Sequence, residues 1–181
     1  MNSQDVILGT LMDRSLTGYE IKQLFETLYS YFYSSSYGTI YPMLHRMEKD
    51  ELLTKESIVQ DGKPNKNVYT ITEKGKKQFN EYLLSPIEVE NVKSDFLMRL
   101  FFGEHVGNDK VIEWLEKEQI HNMEQLDQLK DVCALYKDEM KPSQVICIQI
   151  GMKNYEAKLE MITEGLVRFR NLEHLEQEER D

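Results

Sequence analysis

SSSYGTIYPMLHRMEKDELLT, residues 34 to 54, decides how the rest of the chain is read. At roughly 100° per residue, Ile40, Leu44 and Met47 share one side of a helix, while Gly38, Pro42, His45 and Lys49 share the other. One side fits a core and the other is free. Ser36 is placed to cap this helix by accepting a backbone N–H, and Pro42 either kinks the first turn or makes the regular part begin near Tyr41. A short helix with a small, polar, uncharged leading end approaches nucleic acid closely. The stretch therefore reads as the recognition helix of a winged helix-turn-helix.

Upstream, Val6, Ile7, Thr10 and Leu11 form a helical stripe that SLTG (Ser15 to Gly18) breaks. A second helix is expected over 19–29, with Ile21, Leu24, Phe25 and Leu28 inside and Lys22 and Glu26 paired outside. The five aromatics Tyr29, Tyr31, Phe32, Tyr33 and Tyr37 read as rings filling a small core with hydroxyls at its rim, in preference to a ligand cage. Downstream, LTKESIVQ and NVYTIT flank DGKPNK, the pattern of a hairpin wing. Its tip offers Lys63, Asn65, Lys66 and Asn67 for phosphate or minor-groove contacts, although any surface hairpin carries Gly, Pro and Lys. Thr72 caps a fourth helix that Ser85-Pro86 stops. The expected organisation is a winged domain over 1–85 and a break over 86–93.

Beyond the break the pattern is helical. Phe96 to Phe102 (FLMRLFF) is too short to span a membrane and reads as a helix buried against its own or another subunit. A long helix capped by Asn108 or Asp109 carries Ile112, Leu115, Leu126, Leu129 and Cys133 along one seam, which Gln119 and Asn122 interrupt. After Lys141-Pro142-Ser143 a last helix places Val145, Ile148, Met152, Tyr155, Leu159, Ile162, Leu166 and Phe169 at steps of three and four with no polar residue among them. That stripe is assigned to homodimerisation, within a helical domain over 93–172 followed by a polar tail over 173–181. Trp114, with Phe101 and Phe102 near it in sequence, is a candidate lining for an aromatic effector cavity between the winged domain and the dimer helices, against plain packing. The fold class expected is mainly α with a small β-wing.

The net charge of −10 is unevenly placed. Residues 1–85 carry 10 Lys+Arg against 11 Asp+Glu, and residues 86–181 carry 12 against 21, so the acidity is mostly C-terminal. A local basic patch at the wing then remains compatible with DNA. Cys133 and Cys147 fit no CxxC spacing and read as reduced core thiols in preference to a redox or metal pair. No run approaches the ~20 apolar residues of a membrane helix, and MNSQDVILG is unlike a signal peptide, so a cytoplasmic protein with no membrane partner is expected. The four histidines have no metal-site spacing, and neither a phosphate-binding glycine loop nor a GxSxG elbow is present. No cofactor and no enzymatic activity are expected.

GTIYPMLHRME (Gly38 to Glu48), GKPNKNVYTIT (Gly62 to Thr72), TEKGKKQF (Thr72 to Phe79), and the leading VILGTL and LTGYEIKQ resemble the PadR-type transcriptional regulators. The resemblance covers 5–85 by motif and 93–170 by pattern. It implies a dimeric winged helix-turn-helix, usually a repressor, with Tyr41 at the DNA-facing tyrosine and Lys66 at a basic wing position. It also implies release by a phenolic or other aromatic effector, or control of efflux and stress genes. Two positions depart from the family pattern: Glu51 stands where Gly is usual after the recognition helix, and Asn65 where the wing often has Arg. The full reading is a sequence-specific regulator on a double-stranded, inverted-repeat operator. Ser35, Ser36, Thr39, Tyr41, Pro42, His45, Arg46, Lys63, Asn65 and Lys66 are its expected DNA contacts. The alternatives are a helical dimeric interaction module that binds no DNA, and a ligand carrier with no regulatory role.

Overall fold

The computed structural model describes residues 1–178 apart from 34–36, 61–62, 90–91, 137 and 139. Two units, Met1–Glu90 and Asn91–Asp181, are each built around their own contacts. In the first, α1 (Ser3–Thr10) is followed by β1 (Leu16–Thr17), α2 (Gly18–Glu26), α3 (Ile40–Lys49), β2 (Leu53–Gln60), β3 (Lys63–Ile71) and α4 (Glu73–Leu84). The three strands form one antiparallel sheet in the order β1-β3-β2, with Leu16 opposite Tyr69 and Leu53 opposite Ile71.

Side-chain caps set where these helices begin. Asn2 accepts from the backbone of Gln4 and Asp5 while the Asp5 carboxylate accepts from the Asn2 N–H, and Thr17 and Glu20 repeat this reciprocal box at α2. Such boxes satisfy N–H groups that have no partner inside the helix. Thr72 caps α4 as expected, accepting from the Gly75 N–H at 3.1 Å. Helix α3 begins at Ile40 behind a 3₁₀ turn over Tyr37–Thr39, and its N-cap Thr39 makes no capping side-chain bond. The expected Ser36 cap lies outside the described residues. Pro42, third in the helix, is tolerated because an N–H there lacks an intrahelical acceptor anyway.

The expected core face of α3 is buried: Ile40, Leu44 and Met47 are nearly inaccessible and pack with Ile7, Leu8, Ile21 and Phe25. Tyr29 and Tyr33 meet Phe25 edge-on, and their hydroxyls bond Thr10 and Ser3 at the rim, whereas Phe32 is exposed. Two local expectations are corrected. SLTG is more than a break, since Leu16 and Thr17 pair with β3, and α2 ends at Glu26 with a separate 3₁₀ turn over Tyr29–Tyr31.

The second unit comprises α5 (Asp95–Phe101), α6 (Asn108–Tyr136) and α7 (Pro142–Glu178). Pro142 sits at the first helical position, where its fixed φ suits the turn. Helix α7 runs on to Glu178, through most of the acidic stretch expected as a tail. Val111, Ile112, Leu115, Ile162 and Leu166 form the core between α6 and α7, with Phe96, Leu100, Trp114 and Phe169 packed around it. Of the α7 stripe, Ile148, Ile162 and Leu166 are buried within the chain, while Val145, Met152, Tyr155, Leu159 and Phe169 are half-buried. Within this chain helix α5 holds no buried residue, and Leu97, Met98, Phe101 and Phe102 are exposed, because only its Phe96 and Leu100 side reaches the α6–α7 core. Cys147 is exposed rather than core, and Cys133 is half-buried. Among the described residues no helix is long and apolar enough to cross a membrane.

Candidate nucleic-acid interface

Burying one side of α3 leaves Tyr41, Pro42, His45 and Arg46 exposed on the other. Tyr41, 44% accessible, is the second residue of the helix. Its ring lies against Gly18, the first residue of α2, so the N-terminal ends of α2 and α3 meet there. Strand β3 closes the opposite wall. Thr17, Gly18, Tyr19, Glu20, Tyr41, Asn65, Lys66, Asn67 and Tyr69 line a cleft of about 490 Å³.

The electrostatics suit an anion. Unpaired N–H groups make a helix N-terminus partially positive, and Lys66 adds a full charge on the facing strand. Among the described residues Glu20 is the one carboxylate in the lining, and it stays ionised, offsetting part of the Lys66 charge: Oε2 accepts from the Thr17 hydroxyl at 2.6 Å and the Thr17 N–H at 2.7 Å. Those two bonds, helped by Lys66 and Arg14 and opposed by partial burial, hold its carboxyl below the usual range. Tyr69 is buried beneath the cleft, and that burial lifts its phenol above the ordinary value.

Along α3, His45 Nδ1 lies 3.8 Å from Glu48 Oε2, and Arg46 Nε lies 3.7 Å from Asp50 Oδ2. Exposed pairs of this kind are weak, so a phosphate competes with them readily. Of the expected contacts, the structure gathers Tyr41, Asn65 and Lys66 in one cleft, keeps Thr39, Pro42, His45 and Arg46 exposed on and beside α3, and leaves Ser35, Ser36 and the Lys63 side chain outside the described residues. Gly18, Tyr19 and Glu20 were missed by sequence reasoning. The signal was present, since T-x-x-E at 17–20 is a capping box and marks a helix N-terminus.

Comparison with known proteins agrees with this arrangement. The model of the transcriptional regulator PadR-like family matches residues 7–81, the stretch holding the whole cleft. The crystal structure of smu.1604c from Streptococcus mutans UA159 is 40% identical and superposes with a TM-score of 0.86, covering 92% of this chain and 99% of that one. The chain belongs to the PadR-like family. A PadR-like transcriptional regulator of Bacillus cereus, BC1756, is 29% identical, with a TM-score of 0.86 over 94% of this chain and 99% of that chain. The negative transcriptional regulator PadR of Bacillus subtilis is 33% identical over 98 residues, 53% of each protein. The chain spans about half the length of the curated relatives it matches.

A second cleft lies wholly within the second unit of this PadR-like chain, about 370 Å³ in volume. Asp95, Phe96, Arg99, Lys110, Glu113, Trp114, Lys117 and Glu118 line it. Hydrogen bonds from Lys110 and Lys117 depress the Glu113 carboxyl to about 2. Phe96 is the aromatic neighbour of Trp114 in this lining. Phe101 and Phe102 do not line this cleft: they meet each other edge-on at 5.3 Å and are exposed.

Proposed function

We propose that the chain is a sequence-specific repressor that acts as a homodimer on an inverted-repeat DNA operator. The observation that carries this is the cleft where Tyr41 on the exposed side of α3, Lys66 and Asn65 on the wing, and the start of α2 converge. Tyr41, His45 and the Ser35/Ser36 segment read the groove, while Lys63 and Lys66 hold backbone phosphates. Bacillus subtilis PadR has been solved in complex with operator DNA and with p-coumaric acid, which supports both a DNA partner and an aromatic effector. In this chain we assign the effector to the Trp114–Phe96 cleft, where the two rings suit an aromatic ligand and its carboxylate would have to compete with Asp95 and Glu113 for Arg99, Lys110 and Lys117.

A gel shift on the chain's own upstream DNA across a salt series tests the reading. Binding should fall steeply with salt as counterions return to the phosphates. Lys66→Ala should weaken all sequences alike and flatten the salt slope by about one unit, whereas His45→Ala should cost roughly 1–3 kcal/mol of discrimination. Added p-coumaric acid should release the DNA and change Trp114 fluorescence together. No shift at low salt would instead favour a protein-interaction module, and a fluorescence change without release would favour a mere ligand carrier.

A further inference from the structure

We propose that Gly18 is a positioning residue of the DNA interface: the absence of a Cβ there seats the Tyr41 ring against the first turn of α2, and so fixes where the Tyr41 hydroxyl meets the groove. This rests on the DNA-binding reading above. A Cβ built on Gly18 would stand 2.8 Å from Tyr41 Cε1, closer than real carbons approach, and 3.4 Å from Cδ1, at the edge of ordinary contact. The backbone at Gly18 is not in the left-handed region, so glycine is not required for its conformation. Alanine is also the better helix former. What glycine alone supplies is the close approach.

The clash has only one inexpensive outlet. Leu44, 3.5 Å from the same built Cβ, is fully buried and held by the core, and Gly18 is fixed by the Thr17–Glu20 box and by β1 pairing with β3. The Tyr41 ring, 44% accessible, is the neighbour with room to give way, by a change of χ1 rotamer. Adding one methyl group at residue 18 therefore moves the tyrosine and leaves the fold in place. The ring would leave the cleft that it lines together with Lys66 and Asn65 on the facing strand, and the three groups would no longer present one surface. A displacement on the order of an ångström is enough to spoil a hydrogen bond to a base or phosphate.

The experiment uses the full chain with a duplex from its own upstream region and a scrambled duplex of equal length. Gly18→Ala should weaken specific binding about tenfold, the size of one lost directional contact, with the thermal midpoint kept or raised. In a Tyr41→Ala background the same change should have no further effect. In the free protein with ring-labelled tyrosines, Gly18→Ala should shift the NMR signal that Tyr41→Ala deletes and leave the others in place. Equal losses in both backgrounds, or an unmoved Tyr41 signal, overturn the inference while the DNA reading stands. A wild-type chain that binds neither duplex overturns the DNA reading and this inference with it.

Discussion

Glu51 sits at φ 60°, a left-handed conformation that costs most residues about 1–2 kcal/mol. The turn requires it. The Leu52 N–H donates to the Met47 carbonyl at 2.9 Å and the Glu51 N–H to that of Glu48 at 3.0 Å, the paired bonds that close a helix and reverse the chain. Here the turn hands α3 directly to β2, and buried Met47 and Leu52 stand at the positions that usually touch in such a turn. Glu51→Gly should therefore stabilise the protein by about 0.5–1 kcal/mol, after the extra freedom of glycine in the unfolded chain is deducted. Losing the exposed Lys74–Glu51 pair, 3.7 Å apart, should matter little. Urea titration checks this, and a destabilised variant would mean the glutamate makes a contact that outweighs its strain. The special position was legible in the sequence through a residue out of keeping with the PadR-type pattern. Gly18 was not, because its close approach depends on a tyrosine 23 positions away that only folding brings near.

At the scale of elements, long periodic segments were legible and short or paired ones were not. Helix α3 and the wing declare themselves through a buried side and a hairpin tip, whereas β1 has only two residues and so no period to detect. Periodicity also names a face without naming its occupant. The α6 seam illustrates this at Asn122, which is wholly buried and donates to the Glu118 carbonyl and to Glu118 Oε1. Among the described residues its own Oδ1 has no donor. Burial disfavours ionised Glu118, yet hydrogen bonds from Lys158 on α7 and from Asn122 outweigh it and hold that carboxyl low. Lys158 can serve Glu118 without the amide, so Asn122→Leu removes an unsatisfied acceptor and adds apolar contact. It should raise stability by about 1 kcal/mol in thermal or urea unfolding. A loss of stability would show that Oδ1 has a partner in the working protein.

For the whole molecule the question is how one small winged unit reaches useful affinity. A single DNA-binding module buries only about 600–1,000 Å², so two are needed about one helical turn of DNA apart. The α7 stripe expected to join two copies is partly consumed within the chain, with Ile162 only 4% accessible in the core it forms with α6. On the opposite side of α7, Ile146, Ile150, Met161, Leu172 and Leu175 are exposed and fall on one face at roughly 100° per residue. In the homodimer proposed above, a second copy of the chain is the occupant that the two-module requirement names for this face, while Tyr155 and Leu159 stay on the opposite side with Ile148 and Ile162. The two faces then predict different phenotypes. Ile162→Glu buries an unpaired carboxylate between α6 and α7 and should cost several kcal/mol, of the ~3–5 kcal/mol order seen for stranded buried charges, with loss of helical signal. Ile150→Glu should keep the helical signal and the thermal midpoint of a folded chain, run as a monomer in sizing experiments, and bind a two-half-site duplex no better than a single half-site. If Ile150→Glu still runs as a dimer, the second copy does not sit on this face.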